Sequence, residues 1–298
     1  MFKVFFERND DFARAALFLS GTGTNAVNLL TRLKNNPEAH FWRPAVMVTD
    51  RPESSAARTL AARFDIPLVE SDIAALYRSF GKKKVSIADG EGWRIRELWT
   101  ESLREKLAPF QIDFGIMAGF VPLTNIVKDF PCLNVHPGDL TVEEGGRRIF
   151  AGLHRIPVEN AILKQVRFLR SSVIVVQPFT PGASEMDSGP VLGVSAPVPL
   201  DWDGFSAEEL AAAAGRRKAL TREEIASDPL ARVAEKNLER LKTQGDWVVF
   251  PPVVNDFAAG KFLSDEEGRL FRTGEDGVPV HVKTVEYFPD GTVLPRCL

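Results

Sequence analysis

Short apolar runs alternate, in the first part of the chain, with stretches in which apolar residues recur at the spacing of a helix. The runs predict strands, and the stretches predict helices. Strands that are apolar throughout are typical of a parallel sheet buried on both faces. The predicted strands are 16–20, 44–49 and 66–69, and the helices between them begin near Thr24 and Ala56.

The same alternation continues to about residue 200. It predicts an α/β fold, a mostly parallel twisted sheet with helices on both faces, of the Rossmann type. A polar stretch at 81–92 predicts a surface loop. The remaining strands are predicted at 114–118, 132–135, 172–176 and 191–198, and the helices at 93–108, 123–128 and 157–165.

The pattern changes after Asp201. Leucines and other apolar residues at helical spacing predict helices within 206–243. Roughly the last fifty residues contain the turn dipeptides Asp276-Gly277 and Asp290-Gly291, which predict short strands. We therefore expect a catalytic α/β domain at 1–200, with a helical segment and a small β appendage packed on it at 201–298.

Composition excludes several classes of protein. The chain has 298 residues, of which 44% are hydrophobic, and its 37 basic and 40 acidic side chains nearly cancel. No basic surface for nucleic acid or anionic membrane is indicated, and no apolar stretch approaches the ~18 residues of a membrane span. Two distant cysteines and no targeting segment favour the cytoplasm. The expected partners are small-molecule substrates, and a homodimer is left open.

The turn formed by Gly21, Thr22, Gly23, Thr24 and Asn25 lies between a predicted strand and a predicted helix. Main-chain N–H groups at a helix N-terminus favour an anion such as phosphate. The spacing also fits a loose dinucleotide fingerprint, with Asp50 placed to bind a ribose. The alternative is a tight turn capped by Thr24 or Asn25.

Asn134 and His136 end a buried strand and lie two residues apart, so their side chains share a face. Ligands bind at this edge of an open α/β sheet. Asp187 either caps a turn or meets His136, holding its tautomer and raising its pKa. No cluster of ligands indicates a metal. Cys132 is interpreted as a core thiol, and the runs at 147–148 and 216–218 as solvated charges.

Four segments resemble the folate-dependent formyltransferases, most closely those acting on glycinamide ribonucleotide. In this order, and on these predicted elements, they are specific, and the resemblance covers roughly residues 16–200. The segments are Ser20-Gly21-Thr22-Gly23-Thr24-Asn25, Met117-Ala118-Gly119-Phe120, Leu133-Asn134-Val135-His136-Pro137 and Asp187-Ser188-Gly189-Pro190-Val191.

The resemblance implies formyl transfer from 10-formyltetrahydrofolate to an amine, without a metal, as in purine biosynthesis. It assigns Asn134 and protonated His136 to the oxyanion of the transition state and Asp187 to the imidazolium and proton transfer. It assigns residues 21–25 to the phosphate of the acceptor, which would be glycinamide ribonucleotide or a related phosphorylated or nucleotide-linked amine. The folate would be bound by Ala118, Gly119, Phe120, Val121 and Leu123.

Some positions depart from the pattern of that family. Gly138 stands where a serine often follows His-Pro, Val121-Pro122 replaces a common arginine, and the loop 143–148 is unlike the family's. The three catalytic positions are unaffected, but the acceptor is left undetermined.

Four other functions are compatible with these residues. A formyltetrahydrofolate hydrolase or a sugar-nucleotide N-formyltransferase would use the same three catalytic residues. An NAD-dependent oxidoreductase would use Gly21, Gly23 and Asp50 instead. A binding protein would keep the pocket without turnover.

Overall fold

The computed structural model describes residues 2–8, 10–179, 187–274 and 276–297. The chain divides into two compact units, and it passes between them several times. Neither unit coincides with the predicted division after residue 200. The first consists of Met1–Asn134, Val175–Glu185 and Val253–Val280, and the second of Val135–Ile174, Met186–Pro252 and His281–Leu298.

The first unit is built on parallel strands, because its apolar runs are buried on both faces. Ala13–Phe18 is central, with Trp42–Thr49 and then Leu68–Glu70 on one side and Phe114–Met117 and then Cys132–His136 on the other. All four pairings are parallel. The helices of this unit are Thr24–Asn35, Ala57–Phe64, Ile73–Ser79 and Gly90–Leu107, and the 3-10 turns include Asn125–Lys128.

The Gly90–Leu107 helix covers part of this sheet. Asp89 caps it by accepting a hydrogen bond from the Gly92 N–H at 2.6 Å. Ile95, Trp99 and Leu103, on one face, belong to a buried apolar cluster with the strands. Packing of this face, more than helix propensity, stabilises the helix.

A separate four-stranded sheet joins distant parts of the chain in the order Lys3–Val4, Phe262–Ser264, Leu270–Thr273 and Pro279–His281. Phe6 stacks against Phe114 and lies 5.4 Å from the ring of Phe257. Aromatic contacts of this kind fix the N-terminal segment against the core of the first unit.

The second unit contains mixed β structure. Ser172–Val175 pairs antiparallel with Val191–Ser195, which pairs parallel with Thr284–Tyr287, and Val293–Arg296 completes the series. We expected the last strands to form a small β appendage packed on the catalytic domain. They instead extend the pairing of the Val191–Ser195 strand, because Thr284–Tyr287 is fully buried and needs a neighbour on each edge.

Helices form the other part of the second unit, and the apolar faces of Ile156–Leu163, Ala207–Arg216 and Pro229–Leu241 share one core. The prediction that Arg217 lies in a solvated charge run was wrong. Its guanidinium bonds the carboxylates of Asp228 and Glu159, with Arg217 Nε 2.6 Å from Asp228 Oδ2. A half-buried network requires such pairing of every charge. The helices are Ile156–Leu163, Ala207–Arg216, Arg222–Ala226 and Pro229–Leu241.

Residues Trp247–Ala258 form a helix, although the last part of the chain was predicted to contain strands. Pro251 and Pro252 obscured its pattern, since proline inside a helix removes hydrogen bonds. The helix follows a π-helical turn, Lys242–Asp246. Within the described ranges, no helix combines the length and apolar character needed to cross a membrane.

Candidate functional site

The strand ends of the first unit bring three of the predicted site segments to one edge of its sheet. Phe18 pairs with Met117, and Met117 pairs with Asn134. The turn after the first strand, the segment after the second and Asn134 itself therefore emerge together. This is the carboxyl edge of the parallel strands, as predicted.

The turn at residues 21–25 opens the Thr24–Asn35 helix. Gly23 has φ 65°, and a Cβ there would lie 2.7 Å from Leu60 Cδ1. Gly21 and Thr22 are exposed, and no acidic side chain lies in the first helical turn. N–H groups in the first turn of a helix have no intrahelical partner. The turn therefore has the geometry and electrostatics to accept an anion. The alternative of a side-chain cap is not found, because the N-cap is Gly23.

The segment Ala118–Leu123 is joined to this turn by Ser20. The Ser20 N–H donates to the Gly119 carbonyl at 3.2 Å, and Ser20 Oγ accepts from the Val121 N–H at 2.9 Å. The Phe120 ring packs against Phe18 and Trp99. A ligand at this segment would therefore meet main-chain atoms and the exposed Val121 side chain, whereas the Phe120 ring is partly buried against the core.

Arg96 is a residue of this region that the sequence did not single out. Its guanidinium is buried and donates to the Leu123 carbonyl. Burial lowers the pKa of Arg96, and Tyr77 and Asp50 act in the opposite direction. The only signal in the sequence was the position of Arg96. It follows Ile95 and precedes Trp99 by three residues, and both of these apolar residues lie on the buried face of a helix.

Asp50 does not face a binding site. Its side chain has no solvent exposure, and Arg51 Nε lies 3.5 Å from its Oδ2. Burial raises the pKa of Asp50, while Ser20 and Arg51 lower it. A ribose hydroxyl needs an accessible carboxylate, so the dinucleotide interpretation loses the residue on which it depended.

His136 is in the second unit, two residues beyond Asn134 on the same strand. It is 3% exposed. Its Nε2 lies 2.8 Å from the Phe150 carbonyl, and its Nδ1 lies 3.5 Å from Asp187 Oδ2. The structure thus brings together His136 and Asp187, which the sequence had placed in separate segments.

Asp187 has φ 61°, a left-handed conformation that is rare for a residue with a side chain. Arg148 Nη1 donates a hydrogen bond to its carbonyl. The prediction that Arg148 is a solvated charge was therefore wrong. Arg148 lies on a hairpin, Glu143–Glu144 paired with Arg147–Arg148, whose Gly145-Gly146 turn was a missed signal.

The pKa of His136 lies below its ordinary value of 6.5. Burial is the main cause, the charge of Arg148 acts in the same direction, and Asp187 and the Phe150 carbonyl oppose them. We expected Asp187 to raise this pKa. It does so, but the cost of burying an imidazolium is greater. Burial therefore favours the neutral form of the His136 imidazole.

The chemistry open to these residues is that of polar donors and a proton acceptor. An amide such as that of Asn134 can donate to a developing oxyanion. A neutral imidazole beside a carboxylate can accept a proton. Among the residues that the structure describes, no group of three or more His, Cys, Asp or Glu side chains is arranged to hold a metal ion. Burial raises the pKa of Cys132, which confirms its interpretation as a core thiol.

No protein-family model and no curated protein matches the sequence. Solved structures do match the fold. A phosphoribosylglycinamide formyltransferase from Coxiella burnetii is 17% identical and has a TM-score of 0.58, over 93% of this chain and 100% of that one. A glycinamide ribonucleotide transformylase from Symbiobacterium toebii is 21% identical, with a TM-score of 0.54 over 88% and 94%.

A formyltetrahydrofolate deformylase from Pseudomonas syringae is also similar. It is 14% identical, with a TM-score of 0.57 over 87% of this chain and 65% of that one. These likenesses confirm the predicted formyltransferase fold, a mixed, mostly parallel sheet with helices. Coverage of 93% of the chain also extends the likeness beyond residue 200, where the sequence resemblance ended.

Proposed function

We propose that this protein transfers a formyl group from 10-formyltetrahydrofolate to an amine. The observation that carries the proposal is the contact between His136 and Asp187. His136 lies two residues beyond Asn134 on the same strand. A fold alone would not suffice, because one fold hosts many functions. What supports the proposal here is that His136 and Asp187, two of the three residues that the resemblance names, lie close together.

Asn134 would donate its amide N–H to the oxyanion that forms when the amine attacks the formyl carbon. Asp187 and His136 would accept the amine's proton, which then passes to the departing folate nitrogen. The main chain of Ala118–Leu123 would bind the folate, and the turn at 21–25 would bind a phosphate of the acceptor. Glycinamide ribonucleotide has both the amine and the phosphate.

The test is to incubate the protein with 10-formyltetrahydrofolate and a panel of amines, glycinamide ribonucleotide first, and to follow tetrahydrofolate spectroscopically. Formation with one amine would support the proposal and identify the acceptor. Formation without any amine would replace it by hydrolysis. No formation under any condition would contradict it.

Asn134→Ala should lower the transfer rate about 10²- to 10³-fold, because one oxyanion donor is lost. Asn35→Ala, at an exposed position, is the control and should leave the rate unchanged. Equal rates for the two variants would exclude a role for Asn134 in the reaction.

A further inference from the structure

Gly138 lies where no other residue fits. A Cβ at this position would be 2.4 Å from the Phe150 carbonyl oxygen and 3.2 Å from His136 Nε2. Its backbone is not in the left-handed region, so the space, and not the conformation, requires glycine. The absence of a side chain is what allows the Phe150 carbonyl to reach the imidazole.

The turn that contains Gly138 is fixed by Ser172, which is fully buried. Ser172 Oγ donates to the Gly138 carbonyl at 2.7 Å and accepts from the Leu140 N–H at 3.0 Å. The loop that carries Phe150 is held as well, because Asn160 Nδ2 donates to the Ile149 carbonyl at 3.2 Å. Both sides of the contact are therefore fixed by hydrogen bonds of their own.

A carbonyl oxygen can only accept a hydrogen bond. Nε2 of His136 must therefore carry a hydrogen, and in the neutral ring Nδ1 is left with its lone pair. Nδ1 faces Asp187 Oδ2 at 3.5 Å, a distance too long for a strong hydrogen bond. Both atoms are acceptors in this state, and one added proton would join them.

Asp187 is the more accessible member of this pair. Its side chain is 16% exposed, whereas that of His136 is 4% exposed. A proton released by a substrate would reach the carboxylate first. The neutral imidazole has one N–H, on Nε2, and the Phe150 carbonyl accepts it, so no N–H remains for a reacting oxygen.

We propose that Gly138 and the Phe150 carbonyl make His136 a positioning residue that acts on substrate through Asp187, and not a second donor to the oxyanion. This inference rests on the proposed formyl transfer. As the bond from the amine nitrogen to the formyl carbon forms, the amine proton moves to Asp187 and is shared with His136 Nδ1. When the bond from that carbon to the folate nitrogen breaks, the proton passes to the folate nitrogen.

The first test needs no turnover. Nitrogen-15 NMR of the full-length protein at pH 7 should show His136 Nε2 bonded to hydrogen and Nδ1 unprotonated, with the signals assigned by their loss in His136→Gln. The opposite tautomer would overturn the inference. Because this measurement does not depend on activity, it separates failure of the inference from failure of the proposed function.

The second test distinguishes the two roles considered for His136, an N–H donor to the oxyanion and a group that takes up a proton. In His136→Gln the side-chain amide can still donate an N–H, but it cannot take up a proton. We expect formyl transfer to fall about 10²- to 10⁴-fold. The remaining activity should also lack the acid-side decline that we expect of the wild type from protonation of His136, whose pKa burial lowers from the ordinary histidine value. Near wild-type turnover would mean that an N–H donor suffices, and would overturn the inference.

Gly138→Ala tests whether the Phe150 carbonyl needs the space that the absence of a side chain at position 138 leaves. The added methyl group should displace the Phe150 carbonyl, so kcat should fall about tenfold or more while KM stays near its wild-type value. Gly215→Ala is the matched control, since a Cβ there meets nothing within 4 Å. An unchanged kcat and pH profile in Gly138→Ala, relative to Gly215→Ala, would contradict the proposed role.

Discussion

Asp187 shows how one residue of the site depends on groups far away in sequence. Its left-handed backbone costs energy, and the hydrogen bond from Arg148 to its carbonyl offsets part of that cost. The arginine also lowers the pKa of His136 through its charge. The backbone of Asp187 and the pKa of His136 are therefore both linked to one guanidinium.

Replacing Arg148 by methionine keeps an unbranched apolar stem and removes the guanidinium that makes the hydrogen bond. Loss of a charged hydrogen bond of about 1.5–3 kcal/mol should lower the rate of formyl transfer roughly ten- to a hundredfold. The acid side of the pH–rate profile should move to higher pH, because a positive charge near His136 is gone. Steady-state kinetics between pH 5 and 8 would measure both effects.

Arg147→Met is the matched control, since Arg147 is the exposed neighbour on the same hairpin strand. It should change neither the rate nor the profile. Identical behaviour of the two variants would show that removing charge from the hairpin, and not the contact with Asp187, is responsible.

Which residues belong to the site was easier to predict than which groups they contact. Asn134 and His136 stood out because polar residues ended an apolar run. The partners of His136 could not be foreseen, since the Phe150 carbonyl has no signature in the sequence. Arg148 was missed because a pair of arginines in a polar loop is usually solvated.

At the scale of elements, the turn at residues 21–25 contains two glycines that differ in whether the structure requires glycine. Gly23 has a positive φ and close contacts with Leu60 and Leu19. Gly21 has neither, and a Cβ there would meet nothing within 4 Å. The sequence shows two equivalent glycines, and only the structure separates them.

Gly23→Ala should therefore destabilise the protein by about 1–3 kcal/mol, through overpacking and a strained backbone. Gly21→Ala should change stability by less than about 0.5 kcal/mol. Urea unfolding of both variants measures the difference. Equal midpoints would mean that the turn relaxes without cost.

Elements with simple periodicity were predicted well, and irregular ones were not. The buried strands of the first unit and the Gly90–Leu107 helix match the apolar pattern. The Ile73–Ser79 helix is too short to show a period, and the prolines of Trp247–Ala258 imitate a loop. Tertiary packing stabilises both elements, and packing is not visible in a local window.

At the scale of the whole molecule, the second unit has half-buried charges that are paired with one another. In the second unit, burial opposes ionisation of Asp228, but hydrogen bonds from Arg217 and the Ala231 N–H outweigh it, so the pKa of Asp228 lies below 3.8. Between that pKa and 3.8 the unfolded chain binds more protons than the folded one. This contribution to stability is therefore complete above pH 3.8 and is lost as pH falls through the folded pKa.

Asp228→Asn keeps a helix cap but removes the charge that faces Arg217. It should lower the free energy of unfolding by about 1–3 kcal/mol at neutral pH. The gap to the wild type should shrink below pH 3.8, where Asp228 also loses its charge. Denaturation at pH 7 and pH 3 tests this, with the exposed Glu223→Gln as control. A gap that stays constant with pH would contradict the argument.

The contact between Gly138 and the Phe150 carbonyl also constrains how such a chain can change over generations. A serine at position 138 is compatible only with a loop that has first moved the Phe150 carbonyl away, because a Cβ would lie 2.4 Å from that oxygen. A loop that moves first leaves the His136 Nε2–H without its acceptor. The two positions are therefore epistatic. Mutational paths between the glycine form and a serine form must pass through an intermediate in which the imidazole is held less firmly.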